Sequence, residues 1–490
     1  MKKNRREFLK RSGCALGMTA LATQFQHFGL MNALAQKTND KIGGIPGNYR
    51  AIVCIFFAGG NDGNNTVIPK HNDSSVSNYA DYSAQRNPQG LAIAQKSLLN
   101  IRVPRMGNLI YGLHPALGAV EGGINNGIYE LWAKGKMAIA TNVGTLAKPI
   151  TREEYINRTA PIPYQLFSHS DQIEQSQSGR SDIKSYTGWG GRLSDKMTST
   201  SNPGGLVPMI TSIKGVQLFT SGALTLPLTI KHAATELDRV LALHGFNPST
   251  ESQARLAALN EIRTQDLDQE YVAAASRISD QAVQASQALS SFEEVTVDFP
   301  DTEIGKQLKQ IARMIKKRGE LNVNRQVFYC QVDGFDNHSN QVGIQNSLLT
   351  EFSQAARAFY DEMGVQGISG DITTFTMSDF SRTLNPAGLG DAVGSDHGWG
   401  NHHFVIGDSV IGGDFYGLDT SNGTPFPTLA LNGPDDSDNG TGARGRWIPT
   451  TSVEQYAATI ARWYGLAEND MLSVFPNINA FSGSDLGFMN

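Results

Sequence analysis

Four short, almost wholly apolar runs, each stopped by a loop of Gly, Asn and Asp, constrain this chain more than any other feature. Residues 50–58 carry Ala51-Ile-Val-Cys-Ile-Phe-Phe57 and lead into Gly59-Gly-Asn-Asp-Gly-Asn-Asn-Thr66. Lys136-Met-Ala-Ile-Ala-Thr-Asn-Val143 follows a helix-like segment at 128–134. Gln326-Val-Phe-Tyr-Cys-Gln-Val332 ends at Asp333-Gly-Phe-Asp-Asn-His338, and Asp371-Ile-Thr-Thr-Phe-Thr-Met377 ends at Ser378-Asp379. A strand with one wet face alternates apolar and polar residues; these runs do not, so both faces are expected to be buried. Helical patterns separate them. The reading is an α/β fold: a doubly wound, mostly parallel sheet flanked by helices, with ligands beyond the carboxyl ends of the strands. The Asp-rich loops fall at those ends.

Two stretches depart from the pattern. Residues 233–320 are rich in Ala, Gln, Glu, Arg and Leu and nearly free of Gly after residue 245, which predicts two or three helices inserted as a cap or side layer. A separate domain is the alternative, and the return of the strand pattern at residue 326 argues against it. Residues 383–445 are rich in Gly, Asp and Asn and too extended for an ordinary connection, so they are expected to form a functional loop. A helical pattern follows at 452–464. Residues 36–490 are thus expected to form a single α/β domain.

Residues 1–35 read as a twin-arginine signal peptide. Asn4-Arg-Arg-Glu-Phe-Leu-Lys10 surrounds the arginine pair, a weakly apolar stretch runs from Cys14 to Leu34, and Ala33-Leu34-Ala35 places small residues before Gln36. An ordinary secretory signal is the alternative. The implied partner is the twin-arginine translocase, which carries folded chains, and the expected location is periplasmic or extracellular. Arg11-Ser12-Gly13 before Cys14 lacks the aliphatic residue of a lipoprotein signal. No later stretch approaches the roughly 18 uninterrupted apolar residues of a membrane span, so no stable membrane anchor is expected. Residues 1–35 hold six of the 41 Lys and Arg and one of the 46 Asp and Glu, so without them the net charge is 35 − 45, or −10. That charge, spread without basic blocks, argues against a nucleic-acid partner. Cys54 and Cys330 sit inside the apolar runs, where buried thiols are favoured over a disulfide.

Histidine marks the candidate chemistry. Past residue 35 it occurs at 71, 114, 169, 232, 244, 338, 397, 402 and 403, and four of these fall between 338 and 403. Asp336, Asp379 and Asp396 accompany them at strand ends or in the long loop. Mixed imidazole and carboxylate donors suit zinc, manganese or iron. Asp62 sits in the glycine-flanked loop after the first run, able to approach an ion or simply to close a turn. Phe167-Ser-His-Ser-Asp-Gln172 places Ser168, His169 and Asp171 together, as a nucleophile beside a metal site or as a polar helix start.

These segments carry a resemblance. Gly59-Gly-Asn-Asp-Gly-Asn-Asn-Thr-Val-Ile-Pro69, Leu113-His-Pro-Ala-Leu117, Phe167-Ser-His-Ser-Asp-Gln172, Gly334-Phe-Asp-Asn-His338 and Ser378-Asp-Phe-Ser-Arg-Thr383 occur in that order. The most specific is Ser395-Asp-His-Gly-Trp-Gly-Asn-His-His-Phe-Val405, followed by Gln455-Tyr-Ala-Ala-Thr-Ile-Ala-Arg-Trp-Tyr464. Together they resemble the twin-arginine-exported family catalogued as domain of unknown function fifteen-oh-one, over essentially the whole chain after the signal. The resemblance implies kinship with the alkaline phosphatase and arylsulfatase superfamily. It would make Asp62 the first-strand metal ligand, Ser168 or His169 the nucleophile at a helix start, Asp336 and His338 a ligand pair, and Asp379 a further ligand. Phe380 stands where that superfamily has an imidazole after Asp379. Asp396-His397-Gly398 comes later in the long loop, with His402 and His403 behind it. Either the loop returns a histidine to the site or one metal position is lost. No Cys-x-Pro-x-Arg motif is present, which excludes a formylglycine sulfatase.

The expected function is an exported hydrolase of phosphate or sulfate esters, small or polymer-borne, using one or two divalent ions (zinc, manganese, iron or calcium). The expected ligand pool is Asp62, Asp336, His338, Asp379, Asp396, His397 and His403. Ser168 or His169 would attack or position water, and Arg382 would pair with the anionic group or form an ion pair. A non-catalytic secreted binding or structural module that retains the fold is the alternative.

Overall fold

The computed structural model describes residues 48–240, 249–262, 264–265, 267–290 and 294–490, so the expected signal peptide and His244 lie outside the described residues. Twelve strands are described: β1 (Arg50–Phe57), β2 (Val67–Pro69), β3 (Leu99–Val103), β4 (Leu109–Leu113), β5 (Met137–Gly144), β6 (Ile210–Ser212), β7 (Leu228–Thr229), β8 (Arg325–Val332), β9 (Ile372–Ser378), β10 (Asn401–Ile406), β11 (Phe415–Tyr416) and β12 (Thr451–Ser452). Seven helices matter here: α1 (His169–Ser178), α2 (Trp189–Ser201), α3 (Thr250–Ile262), α4 (Glu270–Ser290), α5 (Glu303–Lys316), α6 (Gln341–Val365) and α7 (Val453–Tyr464).

Nine strands form one sheet in the order β11-β5-β10-β9-β1-β8-β6-β7, with β12 also on β5. The four apolar runs are β1, β5, β8 and β9. Pairings are parallel except those of β10, which is antiparallel to both β5 and β9. The absence of alternation in β1 has the expected cause. Ala51, Val53, Ile55 and Phe57 enter one core with α5 and α6, while Ile52, Cys54 and Phe56 enter another with α2 and α7. Helices therefore cover both faces, as the doubly wound reading requires. Phe57 packs edge-on to Phe352 and tilted against Phe335, both centroids at 4.9 Å; burying a side chain of this size contributes about 1.5–3 kcal/mol. Register also settles the cysteines. Cys330 lies opposite Ile55 rather than Cys54, the two thiols belong to opposite cores, and both are free.

The stretch 233–320 contains α3, α4 and α5. Of these, α5 is a layer of the main sheet: Thr302 caps it by accepting from the Gly305 amide, and Ile304, Leu308, Ile311 and Ile315 are buried in the core it shares with α6 and β8. A small antiparallel sheet, β2-β4-β3, lies apart from the large one. Within 383–445 the chain re-enters the large sheet as β10 and β11. Among the described residues no helix is long and apolar enough to cross a membrane.

Two features of this topology assemble the site. Phe57 is in register with both Val332 and Ser378, so β1, β8 and β9 end level and deliver their following loops side by side. The return of β10 antiparallel to β9 keeps the connection 379–400 at that same end.

Candidate metal centre

Asp336 leaves the loop after β8, His397 the loop before β10, and His169 is the first residue of α1. Among the described residues these three are the group of acid, thiol or imidazole side chains whose donor atoms lie within ion-binding reach of one another. His169 Nε2 is 3.1 Å from His397 Nε2. Asp336 Oδ1 is 3.4 Å from each of those nitrogens. His338 approaches from the solvent side, its Nε2 2.9 Å from Asp336 Oδ1 and 3.2 Å from His397 Nε2, with half its side chain exposed.

The second nitrogen of each inner imidazole fixes its tautomer. His169 Nδ1 lies 2.7 Å from the Asp379 carboxylate, and His397 Nδ1 lies 2.7 Å from the Phe167 carbonyl. Neither partner can donate, so each Nδ1 carries a proton, and in the neutral rings both Nε2 atoms present lone pairs. Two lone pairs 3.1 Å apart, with a carboxylate oxygen beside them, repel unless a cation stands between. That cation is a proton on one ring or a metal ion. The surroundings assign the proton unequally. The Asp379 hydrogen bond raises the pKa of His169 against the opposing effect of burial. Burial lowers that of His397, and the Phe167 carbonyl offsets it only in part. Burial pushes the Asp336 carboxyl up, but the Arg382 guanidinium and the nearby imidazoles outweigh it and hold the group below the usual carboxylate range.

The other expected site residues occupy different positions. Asp62 is buried and faces donors on both oxygens: Arg86 Nη2 at 3.0 Å and the Asn64 amide at 3.1 Å on Oδ1, Arg86 Nη1 and Gln341 Nε2 on Oδ2. Both Asp62 oxygens are thus occupied, and the residue lies outside the donor group of His169, Asp336 and His397. Asp379 is likewise filled, by His169 Nδ1 and by the Gly59 amide at 3.1 Å, and sits behind His169 rather than in the donor group. The Arg382 guanidinium is committed to the carbonyls of Gly59, Gly60, Phe335 and Ser395 and to Asp336 Oδ1. Of the two roles expected for Arg382, the structure shows the ion pair, made with Asp336. His403 is buried in β10 with its ring stacked on Tyr456, and burial takes its pKa down to about 3. Asp396 pairs with Arg444 at 2.9 Å and lies 3.6 Å from His338 Nδ1. The Ser168 hydroxyl donates to Asp171 at 2.6 Å, one residue along from Phe167 and one before His169.

Three contributors go unread in the sequence, and a fourth, Phe380, is read there only as a missing imidazole. Phe167 holds its carbonyl on His397 at φ +69°, a strained conformation for a bulky residue. Arg446 lies over the Phe167 ring at 4.9 Å and donates to the His397 carbonyl at 2.7 Å, tying the two together. Phe380 packs against both imidazoles, centroids 4.7 Å from each, so the residue replacing an expected histidine is the floor on which two others rest. Arg86 neutralises Asp62 from 24 positions away, where no local pattern signals it. Two glycines permit the close approach. A Cβ on Gly59 would meet the Asp336 amide nitrogen at 2.4 Å, and one on Gly398 would meet the Arg382 carbonyl at 2.9 Å. Gly398 donates to Ser381 at 2.7 Å and Thr383 to Asp396 at 2.9 Å, the pairing that carries His397 back to the strand ends.

No curated protein matches the chain in sequence. Among solved structures it is similar to that of Ps i-CgsB in complex with k-i-k-neocarrahexaose, at 8% identity over 89% of this chain and 77% of that one, TM-score 0.30. It is also similar to the PsFucS1 sulfatase from Pseudoalteromonas sp., at 7% identity over 81% of this chain and 68% of that one, TM-score 0.24. Likeness at this level bears no functional weight, and the fold stands on the sheet described above. Residues 49–425 match the family described as "Protein of unknown function (DUF1501)", and the chain belongs to that family.

Proposed function

We propose that the protein is an exported, metal-dependent hydrolase of phosphate or sulfate esters. The observation that supports this most is the pair of imidazole lone pairs converging on one another and on Asp336 at the carboxyl end of a largely parallel sheet. His169, His397 and Asp336 would hold the ion; a divalent ion bound there polarises ester oxygens and stabilises the charge that develops on them. Both nitrogens of His169 are committed, so attack falls to Ser168 or to a water molecule. Asp171 orients the Ser168 hydroxyl. His338, whose side chain is the most exposed of the three imidazoles, is placed to reach the departing oxygen. Export would follow from residues 1–35, with the twin-arginine translocase as partner.

The test is elemental analysis of the mature protein purified without chelator from its native export route, followed by phosphomonoester, phosphodiester and sulfate ester screens. Stoichiometric metal with turnover, both lost in Asp336→Ala, is the expected result. Metal without turnover in any screen moves the protein to the binding-module reading. No metal in a folded, exported protein overturns the mechanism. Arg5→Lys with Arg6→Lys is expected to leave the precursor uncleaved in the cytoplasm, and normal export of that variant would remove the twin-arginine assignment.

A further inference from the structure

The ligand set implied by the family resemblance and the set built by this chain differ, and the difference limits what the centre can hold. The resemblance supplies oxygen-rich ligands, with Asp62 and Asp379 among them. The structure turns both acids away. Asp62 spends its oxygens on Arg86, Gln341 and Asn64. Asp379, its side chain wholly buried, spends its own on His169 Nδ1 and the Gly59 amide. Asp396, the remaining acid of the pool, is paired with Arg444.

What remains is rich in nitrogen. The edges of the donor triangle are 3.1, 3.4 and 3.4 Å. One ion just outside that plane can meet all three atoms at about 2.0–2.2 Å, the bond length of zinc-class ions to imidazole and carboxylate. Calcium needs about six to eight oxygens at longer distances, and this triangle offers one oxygen. A set of two imidazoles and one carboxylate suits zinc or iron(II) instead. A second ion about 3.5–4 Å away would need carboxylates of its own, and the acids that could supply them are those already committed. Phe380 places a hydrocarbon face under both inner rings where another donor would have to enter.

We infer that the centre takes one zinc-class ion, zinc or iron(II), through His169 Nε2, His397 Nε2 and Asp336 Oδ1, with Asp379 and Asp62 acting as positioning and structural groups rather than ligands. Asp379 aims His169 from behind, as the Phe167 carbonyl aims His397. Partners of this kind tune affinity without touching the metal. The inference rests on the metal-dependent reading only in requiring that an ion be bound; it does not require ester hydrolysis.

The experiment is titration of the chelator-stripped mature protein with cobalt(II), read by its visible d–d absorption, beside elemental analysis of the native protein and X-ray absorption at the native metal's edge. One equivalent is expected, with two or more imidazoles in the first coordination sphere, and millimolar calcium should not displace it. Elemental analysis decides between zinc and iron(II). Asp379→Asn is expected to weaken binding by about 10–100-fold while leaving the cobalt band positions unchanged. Asp336→Asn should shift those bands or abolish them. Two equivalents, displacement by calcium, or a band shift in Asp379→Asn would each overturn the inference. The X-ray absorption of unmutated protein keeps it falsifiable should a variant fail to fold. No bound ion would sink this inference and the hydrolase reading together. One ion on these donors without ester turnover would sink only the hydrolase, and two ions with turnover only this inference.

Discussion

Asp336 and Asp62 follow neighbouring, level-ended strands, yet the protein treats them in opposite ways. Asp336 is about half exposed, its Oδ1 turned toward three imidazoles and held by Arg382. Asp62 is 2% exposed and closed by Arg86, which is itself fully buried. Asp62 is a buttress that locks the first loop to Arg86 and α6. Asp336 is a carboxylate held in position by Arg382 with its outer side open. The same residue type at the same topological place becomes one or the other according to which cations reach it, and those cations come from distant segments.

The comparison breaks most readily at Arg86. Arg86→Ala would leave Asp62 buried without its counter-ion, and removal of one partner of a buried pair costs about 3–5 kcal/mol. Denaturant unfolding of the metal-free protein should show that loss, and a loss below about 1 kcal/mol would mean Asp62 is not locked as described. Asp336→Ala should do the reverse. Ion affinity is expected to fall at least about 100-fold, equivalent to about 2.7 kcal/mol, while metal-free stability falls by less than in Arg86→Ala, because Arg382 keeps four backbone carbonyl acceptors when it loses Asp336. A stability loss as large as that of Arg86→Ala would erase the distinction. Gly398→Ala probes the link between the loops: the added methyl meets backbone at 2.9 Å, so a loss of about 1–3 kcal/mol is expected, with weaker ion binding as His397 is displaced.

A pH-dependent effect concerns a third acid, Glu454, which is fully buried. Burial pushes its pKa up to about 8 from the usual value of 4.5. Between those values the folded chain keeps a proton that the unfolded chain has released. Stability contributed by this group is therefore full below about pH 4.5 and declines as pH rises toward about 8, by at most about 1.4 kcal/mol per pH unit. Glu454→Gln should flatten that part of the profile, measured as the denaturation midpoint from pH 5 to 8. An unchanged slope would show that Glu454 ionises normally, and that burial alone does not set the fate of an acid here.

Strands β1, β5, β8 and β9 were legible because burial on both faces leaves an unbroken apolar run, a local signal. β10 was hidden inside what reads as loop, since Asn401, His402 and His403 precede its apolar half. Those three are buried all the same, His402 stacked on Phe426 and His403 on Tyr456. The site divides along a similar line. Residue type and strand-end position mark His169, Asp336, His338 and His397 as candidates. Nothing in the sequence distinguishes Asp336 from Asp62 or Asp379, because the deciding partners are Arg86, the ring of His169 and a backbone carbonyl at Phe167. The partners of Arg382 are illegible for the same reason: its five carbonyl and carboxylate acceptors come from loops that meet only after the sheet has formed.

The two imidazoles that face each other are 228 positions apart in the chain. An unfolded polypeptide holds them too far apart to chelate, so an ion bound as proposed would have affinity for the native state and almost none for the denatured one. Such binding would be a reservoir of conformational stability: at a free ion concentration 100 times the dissociation constant it would add about 2.7 kcal/mol to unfolding. A chain that lost its ion would unfold more readily before any question of catalysis arose, and the metal content of its surroundings would set how long the protein survives.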